Sequence, residues 1–264
     1  MKKLIIISGV TGSMGQEFLR KYIIEPNTII YGISRKGIPI HDFKSLPNHN
    51  LIVNVDLTNN SDIHSFVSKI PKQQYESISY FHLVGEFKTE LDEKGKIIIE
   101  NDIDGIDNDV RSLVADTYKY IVSNIIESEL IKIKKINIIS FGSLADPYKL
   151  NCFQSFWKSR EIVKNYSRSI KQKYSNINFY LFNTSTLCAA DEMLERPFIF
   201  GTNVNPQFWI TPYELVQRVS GHLISEKGFV ERDIYVPNPY FSKDYFTEQK
   251  THIRRVKELY NKSI

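Results

Sequence analysis

The chain of 264 residues is 42% hydrophobic and 24% charged, which is ordinary for a soluble globular protein with a large core. Its net charge of +4 comes from scattered basic residues rather than a basic tract, so no nucleic-acid partner is expected. The chain has only two cysteines and its histidines are dispersed, which argues against a disulfide framework and a metal site. No apolar run approaches the roughly 20 residues of a membrane span. Without a signal peptide pattern, the sequence predicts a cytoplasmic protein.

The chain begins with the pattern of a strand, a glycine-rich turn and a helix. Residues 4–8 are an apolar run typical of a strand buried on both faces, and helical spacing follows over 14–24. Between them Gly9, Gly12 and Gly15 fall three residues apart. Glycines let the backbone approach a pyrophosphate, and a helix N-terminus offers it free N–H groups. The pattern predicts a dinucleotide site; the alternative is a glycine-rich turn without a ligand.

Apolar runs alternate with helical patterns through most of the remaining sequence. This βαβα alternation predicts an α/β fold of the Rossmann type, a doubly wound parallel sheet with helices on both faces, in one domain spanning 1–264. The further predicted strands are 28–33, 51–55, 78–83, 136–140 and 177–182, and the further predicted helices are 61–70, 108–130 and 153–174.

Three segments in the last third of the chain have distinct roles in this prediction. Residues 189–209 form a long stretch with aromatics and prolines, which we interpret as a substrate loop. Thr211, Pro212 and Glu214 then have the spacing of a helix cap, and a C-terminal helix is predicted over about 243–262. The aromatics of the loop indicate an apolar or ring-bearing small-molecule substrate.

The end of the second predicted strand indicates which dinucleotide binds. Ser34 and Arg35 stand where a nucleotide-binding fold meets the adenosine ribose, and no acidic residue occurs between Tyr31 and His41. An acid there would bind the 2′-hydroxyl of NAD, whereas an arginine accommodates a 2′-phosphate. The sequence therefore predicts NADP(H), the alternative being a solvated arginine at a strand end.

Together these segments resemble the short-chain dehydrogenase/reductase family over nearly the whole chain. The segments that carry the resemblance are Ser8–Gly15, Asp56-Leu57, His82-Leu83-Val84-Gly85, which keeps only the glycine of the family's Asn-Asn-Ala-Gly, and Thr184-Ser185. The resemblance implies cofactor contacts from Gly9, Thr11, Gly12, Ser13, Met14, Gly15, Ser34, Arg35, Asp56, Leu57, Leu83, Val84, Gly85, Arg160, Thr184 and Ser185.

The family's catalytic motif, a serine followed about 13 residues later by Tyr-x-x-x-Lys, is altered in this chain. In the family, apolar positions follow the lysine by 3, 6 and 10 residues, and only Arg160, not Lys158, has them here. Arg160 is thus matched to the lysine, Phe156 to the tyrosine and Ser143 to the serine. The resemblance implies that Ser143 binds the substrate oxygen and that Arg160 holds the nicotinamide ribose. The alternative is that Ser140 or Ser143 only closes the strand end by a local hydrogen bond.

The missing hydroxyl at Phe156 leaves the expected reaction without the family's proton donor, because a phenyl ring cannot donate a proton. General-acid help is worth roughly 10²–10⁴-fold in rate. Tyr148, on the loop between Ser143 and Phe156, is one candidate for a substitute acid, and a plain surface tyrosine is the alternative.

The resemblance implies an NADP(H)-dependent oxidoreductase acting on a carbonyl or alcohol with an atypical site. The alternatives are a catalytically inactive NADP(H)-binding sensor or partner subunit, and a nucleotide-sugar-modifying enzyme of the same fold. Many family members pair through the two long central helices, here 108–130 and 153–174. An apolar stripe on the first helix agrees with such a homodimer, although a stripe that faces the sheet would look the same: Tyr118, Ile121, Val122 and Ile125.

Overall fold

Seven parallel strands form the centre of the fold in the computed structural model. The structure describes residues 2–35, 50–71, 75–85, 104–144, 146, 149, 153–184, 187 and 210–236. Of the sequence predictions, Tyr148, Ser185, the substrate loop 189–209 and the C-terminal helix 243–262 lie outside the described residues.

The sheet confirms the predicted α/β fold of doubly wound, Rossmann type. Its order is β3-β2-β1-β4-β5-β6-β7, with every pair parallel. The strands are β1 Lys2–Ser8, β2 Thr28–Ser34, β3 Asn50–Asn54, β4 Tyr75–His82, β5 Ile136–Ser143, β6 Ile177–Thr184 and β7 Phe229–Ile234.

The seventh strand was not predicted from the sequence. It lies at the edge of the sheet beside β6, and its central positions, Glu231 to Asp233, are charged and at least partly exposed. An edge strand covered on one side lacks the continuous apolar run by which the interior strands are recognised.

Helices cover both faces of the sheet. The helices α1 and α6 share one buried apolar cluster with it, and α2, α4 and α5 share the other. The single predicted helix 108–130 is wrong in detail, because a π-helical turn at Ser112–Asp116 divides it and a 3₁₀ turn at Glu129–Lys132 follows it. The α-helices are α1 Ser13–Ile23, α2 Asn60–Lys69, α3 Asn108–Arg111, α4 Thr117–Glu127, α5 Gln154–Lys173 and α6 Pro212–Ser225.

The apolar stripe on α4 belongs to the core of the chain itself. Tyr118, Ile121, Val122 and Ile125 are each at most 1% exposed and pack in the cluster between α4 and the sheet. The stripe therefore cannot form an interface between two copies, and the alternative interpretation, that it faces the sheet, is confirmed.

The predicted cap of α6 is confirmed. The Thr211 side chain accepts a hydrogen bond from the backbone N–H of Glu214 at 3.2 Å, and Pro212 is the first helical residue. Within the described ranges, none of the helices combines the length and apolar character that crossing a bilayer requires.

Candidate functional site

The candidate site lies at the carboxyl edge of the sheet, where the strand order changes direction between β1 and β4. Ser8, the last residue of β1, is in register with Ile33 of β2 and with His82 of β4. The helix after β1, α1, packs on one face of the sheet, and α4, which follows β4, packs on the other. Open α/β sheets bind ligands in the crevice that forms at such a switch point.

The turn after β1 is closely packed, and two of its glycines are required by geometry. Gly9 has a φ of +70°, and a Cβ there would lie 2.8 Å from the carbonyl oxygen of Leu83. A Cβ on Gly15 would lie 2.2 Å from the carbonyl oxygen of Gly9, whereas one on Gly12 would meet only that oxygen, at 3.5 Å. The first glycine thus packs against the segment after β4 and the third packs against the backbone of the turn itself, whereas the second has room for a Cβ.

The N-terminus of α1 is available for an anion in the described part of the chain. Gly12 is its N-cap, no side chain caps the helix by a hydrogen bond, and the first turn contains no acidic residue. Ser13 and Met14 on that turn are partly exposed, and Thr11 before it is exposed. Uncapped N–H groups and the positive end of the helix dipole favour a phosphate at this position.

The predicted adenosine end of the crevice holds opposite charges. Arg35 is exposed directly after β2, while Ser34 is buried. Hydrogen bonds from the Thr58 hydroxyl and backbone N–H, and to a lesser degree the charge of Arg35, lower the pKa of the Asp56 carboxyl. The Leu57 side chain, also predicted at this end, is 5% exposed and lies in the core. Arg35 and Asp56 therefore present opposite charges at the surface of this end.

A buried polar chain supports the crevice from below. The Ser8 hydroxyl lies 3.3 Å from the Tyr80 hydroxyl and accepts the backbone N–H of Leu83 at 3.3 Å. The Tyr80 hydroxyl lies 2.8 Å from Nδ1 of His82. These contacts fix the start of the segment after β4, where Leu83 and Val84 are partly buried and Gly85 is exposed.

His82 is a neutral buried histidine. Its Nε2 lies 3.2 Å from the carbonyl oxygen of Val114, which lies in the π-helical turn. Because a carbonyl only accepts, Nε2 carries the proton and Nδ1 accepts from the Tyr80 hydroxyl. Burial, and next the charge of Arg160, lower the pKa of His82 to about 3. The ring thus joins β4 to the helix that crosses the face of the sheet.

Arg160 of α5 is buried at the ends of β5 and β6, with 5% of its side chain exposed. Its Nη1 donates to the Ser140 hydroxyl at 3.3 Å, and its Nε lies 3.7 Å from Oδ2 of Asp146. Nε has no hydrogen-bond acceptor among the described residues. Gly142 allows this placement, because a Cβ there would lie 2.6 Å from Nε. The guanidinium of Arg160, at the position matched to the family's lysine, therefore packs beside the carboxyl end of β5.

Asp146 is a site residue that the sequence analysis missed. It follows β5, two residues before Tyr148 in the sequence, and its Oδ2 accepts the backbone N–H of Ser143 at 3.1 Å. Burial raises the pKa of its carboxyl to about 6, although Arg160 acts in the opposite direction. The available signal was local, an aspartate three residues after Ser143, which is the spacing of a side chain that bonds back to a strand end.

The remaining predicted catalytic residues lie around this pair. Ser143 is partly buried and in register with Thr184, whose hydroxyl donates to the carbonyl of Gly142 at 3.3 Å. Phe156 is partly buried on the first turn of α5, one helical turn before Arg160. No group of three or more His, Cys, Asp and Glu side chains in the described residues could hold a metal ion.

Solved structures of dehydrogenases are similar to this fold. A short-chain dehydrogenase from Streptomyces avermitilis has a TM-score of 0.68 at 10% identity, covering 99% of this chain and 95% of that one. Aldohexose dehydrogenase from Thermoplasma acidophilum has a TM-score of 0.67 at 15% identity, covering 91% and 97%. An alcohol dehydrogenase from the archaeon Thermococcus sibiricus, complexed with 5-hydroxy-NADP, has a TM-score of 0.66 at 10% identity, covering 91% and 100%. No protein-family model and no curated protein matches the chain.

Proposed function

We propose that this chain binds NADP(H) in the crevice between β1 and β4 and exchanges a hydride between it and a carbonyl or alcohol group of a small molecule. The observation that carries the proposal is the turn in which Gly9 and Gly15 pack backbone against backbone ahead of an uncapped helix. Such a turn at a topological switch point is how open α/β sheets bind a pyrophosphate. The similarity to dehydrogenase structures, one of them with an NADP analogue, supports the same proposal.

Each part of the dinucleotide has a counterpart among the residues at this edge. The turn from Thr11 to Gly15 would hold the pyrophosphate, and Arg35 the 2′-phosphate. The buried cation of Arg160 would lie towards the nicotinamide ribose, next to the hydroxyl of Ser140. Bound NADPH supplies a hydride to the substrate carbon; the chain itself supplies the position of that carbon and the proton for its oxygen.

A second candidate is an NADP(H)-binding protein without reductase activity. Phe156 at the position of the family's tyrosine favours it, because this ring cannot donate a proton. NADPH oxidation by a panel of diketones, quinones and aldehydes separates the two candidates. Turnover supports the oxidoreductase; tight NADPH binding with no turnover on any member of the panel supports the binding protein.

We expect Arg35 to make the protein prefer NADP⁺ to NAD⁺. An arginine paired with a 2′-phosphate makes charge-assisted hydrogen bonds, so Arg35→Asp should weaken NADP⁺ binding about tenfold or more, roughly 1.4 kcal/mol, and leave NAD⁺ binding nearly unchanged. Isothermal titration calorimetry with both dinucleotides measures this. Lys134→Asp makes the same charge change at an exposed position before β5, at the opposite edge of the sheet, and should not alter the preference. Equal affinities of the unsubstituted protein for both dinucleotides would contradict the assignment.

We also propose that the protein is a homodimer through the outward faces of α4 and α5. These helices are joined by a 2.8 Å hydrogen bond between the hydroxyls of Ser123 and Tyr166, and Ile162 on α5 is only partly buried in the single chain. Light scattering should give twice the chain mass of 30.8 kDa. Ile162→Glu should reduce it towards the monomer, whereas Ile224→Glu, at a position 83% exposed on α6, should not. A monomer mass for the unsubstituted protein at micromolar concentration would count against the dimer.

A further inference from the structure

The pair of Asp146 and Arg160 lies where the proposed reaction lacks a proton donor. Phe156 cannot supply the proton, and a carbonyl oxygen that receives a hydride at its carbon must be protonated for the reduction to be completed. Asp146 is the carboxyl group that the described residues place at the end of β5, hydrogen-bonded through Oδ2 to the backbone N–H of Ser143 at 3.1 Å. Ser143 is itself the residue predicted to bind the substrate oxygen.

We propose that the Asp146 carboxyl is the general acid that protonates the substrate oxygen, a role that rests on the proposed reductase function. In the step, the carbonyl carbon gains a hydride from the reduced nicotinamide dinucleotide, which is thereby oxidised. The carbon–oxygen π bond breaks, and the oxygen gains the proton of Asp146, whose O–H bond breaks to leave a carboxylate. The alcohol leaves, and the carboxylate recovers a proton from water.

The geometry around the carboxyl suits a group that must give up a proton and recover it. Among the described residues, its hydrogen bond and its ion pair both involve Oδ2, which leaves Oδ1 to meet the substrate. Oδ2 is 3.7 Å from Nε of Arg160, a buried donor that has no acceptor within the same residues. When Asp146 loses its proton, the new negative charge forms beside this guanidinium and can accept that N–H. The pair therefore stabilises the product of the transfer more than its reactant.

A path for the proton to solvent is also present. Asp146 and Arg160 line a pocket of about 290 Å³ between α5 and the strands β6 and β7, and 15% of the Asp146 side chain is exposed. The other charged side chains that line this pocket are Lys149 after β5, Glu161, Lys164 and Arg168 on α5, and Glu231 on β7. Burial first, and then Glu231, favours the protonated form, while Arg160, the backbone N–H of Ser143 and Lys164 favour the carboxylate. A carboxyl balanced in this way titrates close to neutral pH, as a general acid requires.

The test is carbonyl reduction by NADPH with substitutions at Asp146. Asp146→Asn, which keeps the shape but not the proton, should lower kcat by about 10²-fold or more and leave NADPH affinity within about threefold. The kcat/KM of the unsubstituted protein should fall as the pH rises through about 6, and the variant should lose this dependence. Glu161→Gln removes another acid of the same pocket, which pairs with Lys149 at 2.8 Å, and should keep both the rate and the pH profile.

Chemical rescue separates a proton donor from a residue that only holds Arg160 in place. In Asp146→Ala, added formate can replace the missing carboxylate as a proton acceptor, so it should restore, in a saturable way, part of the rate of the reverse reaction, alcohol oxidation by NADP⁺; a purely structural role would not respond. Thermal unfolding and NADPH titration establish that each variant is folded. If both variants fail to fold, Asp146→Glu keeps an acid at this position, and its pH profile is compared with that of the unsubstituted protein.

Three outcomes are distinguished. Loss of rate in Asp146→Asn with formate rescue of Asp146→Ala supports the proposal. Fast turnover by a folded Asp146→Asn overturns the role of Asp146 and leaves the reductase function standing. An unsubstituted protein that binds no NADPH, or binds it and reduces no carbonyl, overturns the reductase function and this role with it.

Discussion

Gly15→Ala is expected to destabilise the protein by about 3 kcal/mol and to abolish dinucleotide binding. Gly15 lies in the first turn of α1, where alanine is the better helix former by roughly 1 kcal/mol, so helix propensity alone predicts stabilisation. The steric contact at Gly15 outweighs this gain in helix propensity, so the net effect on stability is a loss. The added Cβ would lie 2.2 Å from the carbonyl oxygen of Gly9 and 2.6 Å from Cα of Val10, and both are backbone atoms of a turn anchored between strands. The turn must open, and the proposed pyrophosphate site opens with it.

Urea unfolding and NADPH titration measure both effects on one sample. The matched control is Gly12→Ala, because a Cβ there meets only the Gly9 carbonyl oxygen at an ordinary 3.5 Å. Gly12→Ala should lower the free energy of unfolding by less than about 1 kcal/mol, mostly because alanine is a poorer N-cap than glycine. A Gly15→Ala protein as stable as Gly12→Ala, or one that still binds NADPH, would show that this turn is not packed as described.

The second large effect expected is a loss of stability in acid that originates at His82. Burial first, and then the charge of Arg160, lower the pKa of this ring from 6.5 to about 3 in the folded chain. An unfolded chain takes up the proton near pH 6.5 and the folded chain does not, so the stabilising effect is complete above pH 6.5. It falls by about 1.4 kcal/mol per pH unit as the pH drops towards 3, roughly 5 kcal/mol in all.

Asp146 acts in the opposite direction over part of this range. Burial raises the pKa of its carboxyl from 3.8 to about 6, so its protonation stabilises the folded chain as the pH falls from about 6 towards 3.8. The stability of the unsubstituted protein should therefore change little between pH 6 and pH 4. The His82 effect is measured instead as a difference between two proteins.

The measurement is the unfolding free energy of His82→Gln relative to the unsubstituted protein, from pH 7 to pH 4. The glutamine amide can donate to the Val114 carbonyl but does not titrate, so its deficit at pH 7 should shrink by about 1.4 kcal/mol per unit below pH 6.5. His64→Gln, at an exposed histidine, corrects for the loss of one imidazole. A difference between His82→Gln and the unsubstituted protein that does not depend on pH would contradict the buried neutral ring.

Several parts of the fold could be predicted because their signals are local. The apolar run of β1, the spacing of Gly9, Gly12 and Gly15, and the cap at Thr211 each depend on residues within one turn or one strand of each other. Strand and helix periodicities and cap chemistry act over such distances. The βαβ alternation then leaves few topologies, because parallel strands need right-handed crossovers. That is why the doubly wound sheet followed from the sequence.

The chemistry of the edge was decided by residues far apart in the chain. The neutral state of His82 depends on its burial and on the charge of Arg160, and the burial of Arg160 depends on Ser140 and on the absence of a side chain at Gly142. No periodicity in the sequence predicts these contacts, because they form only when β4, β5 and α5 pack together. The same holds for the stripe on α4, which local pattern could not distinguish from an interface.

The sequence by itself therefore determined the strands β1 to β6, the parallel sheet and the glycine-rich turn after β1, since these follow from local periodicity and backbone geometry. Only the tertiary structure decided which charged and polar groups lose water. Burial shifts the pKa of His82 and Asp146 in opposite directions, and among the described residues the Nε of Arg160 has no acceptor. Desolvation is a property of the packed surroundings of a group and not of its neighbours in the chain, so the raised pKa of Asp146 could be recognised only in the fold.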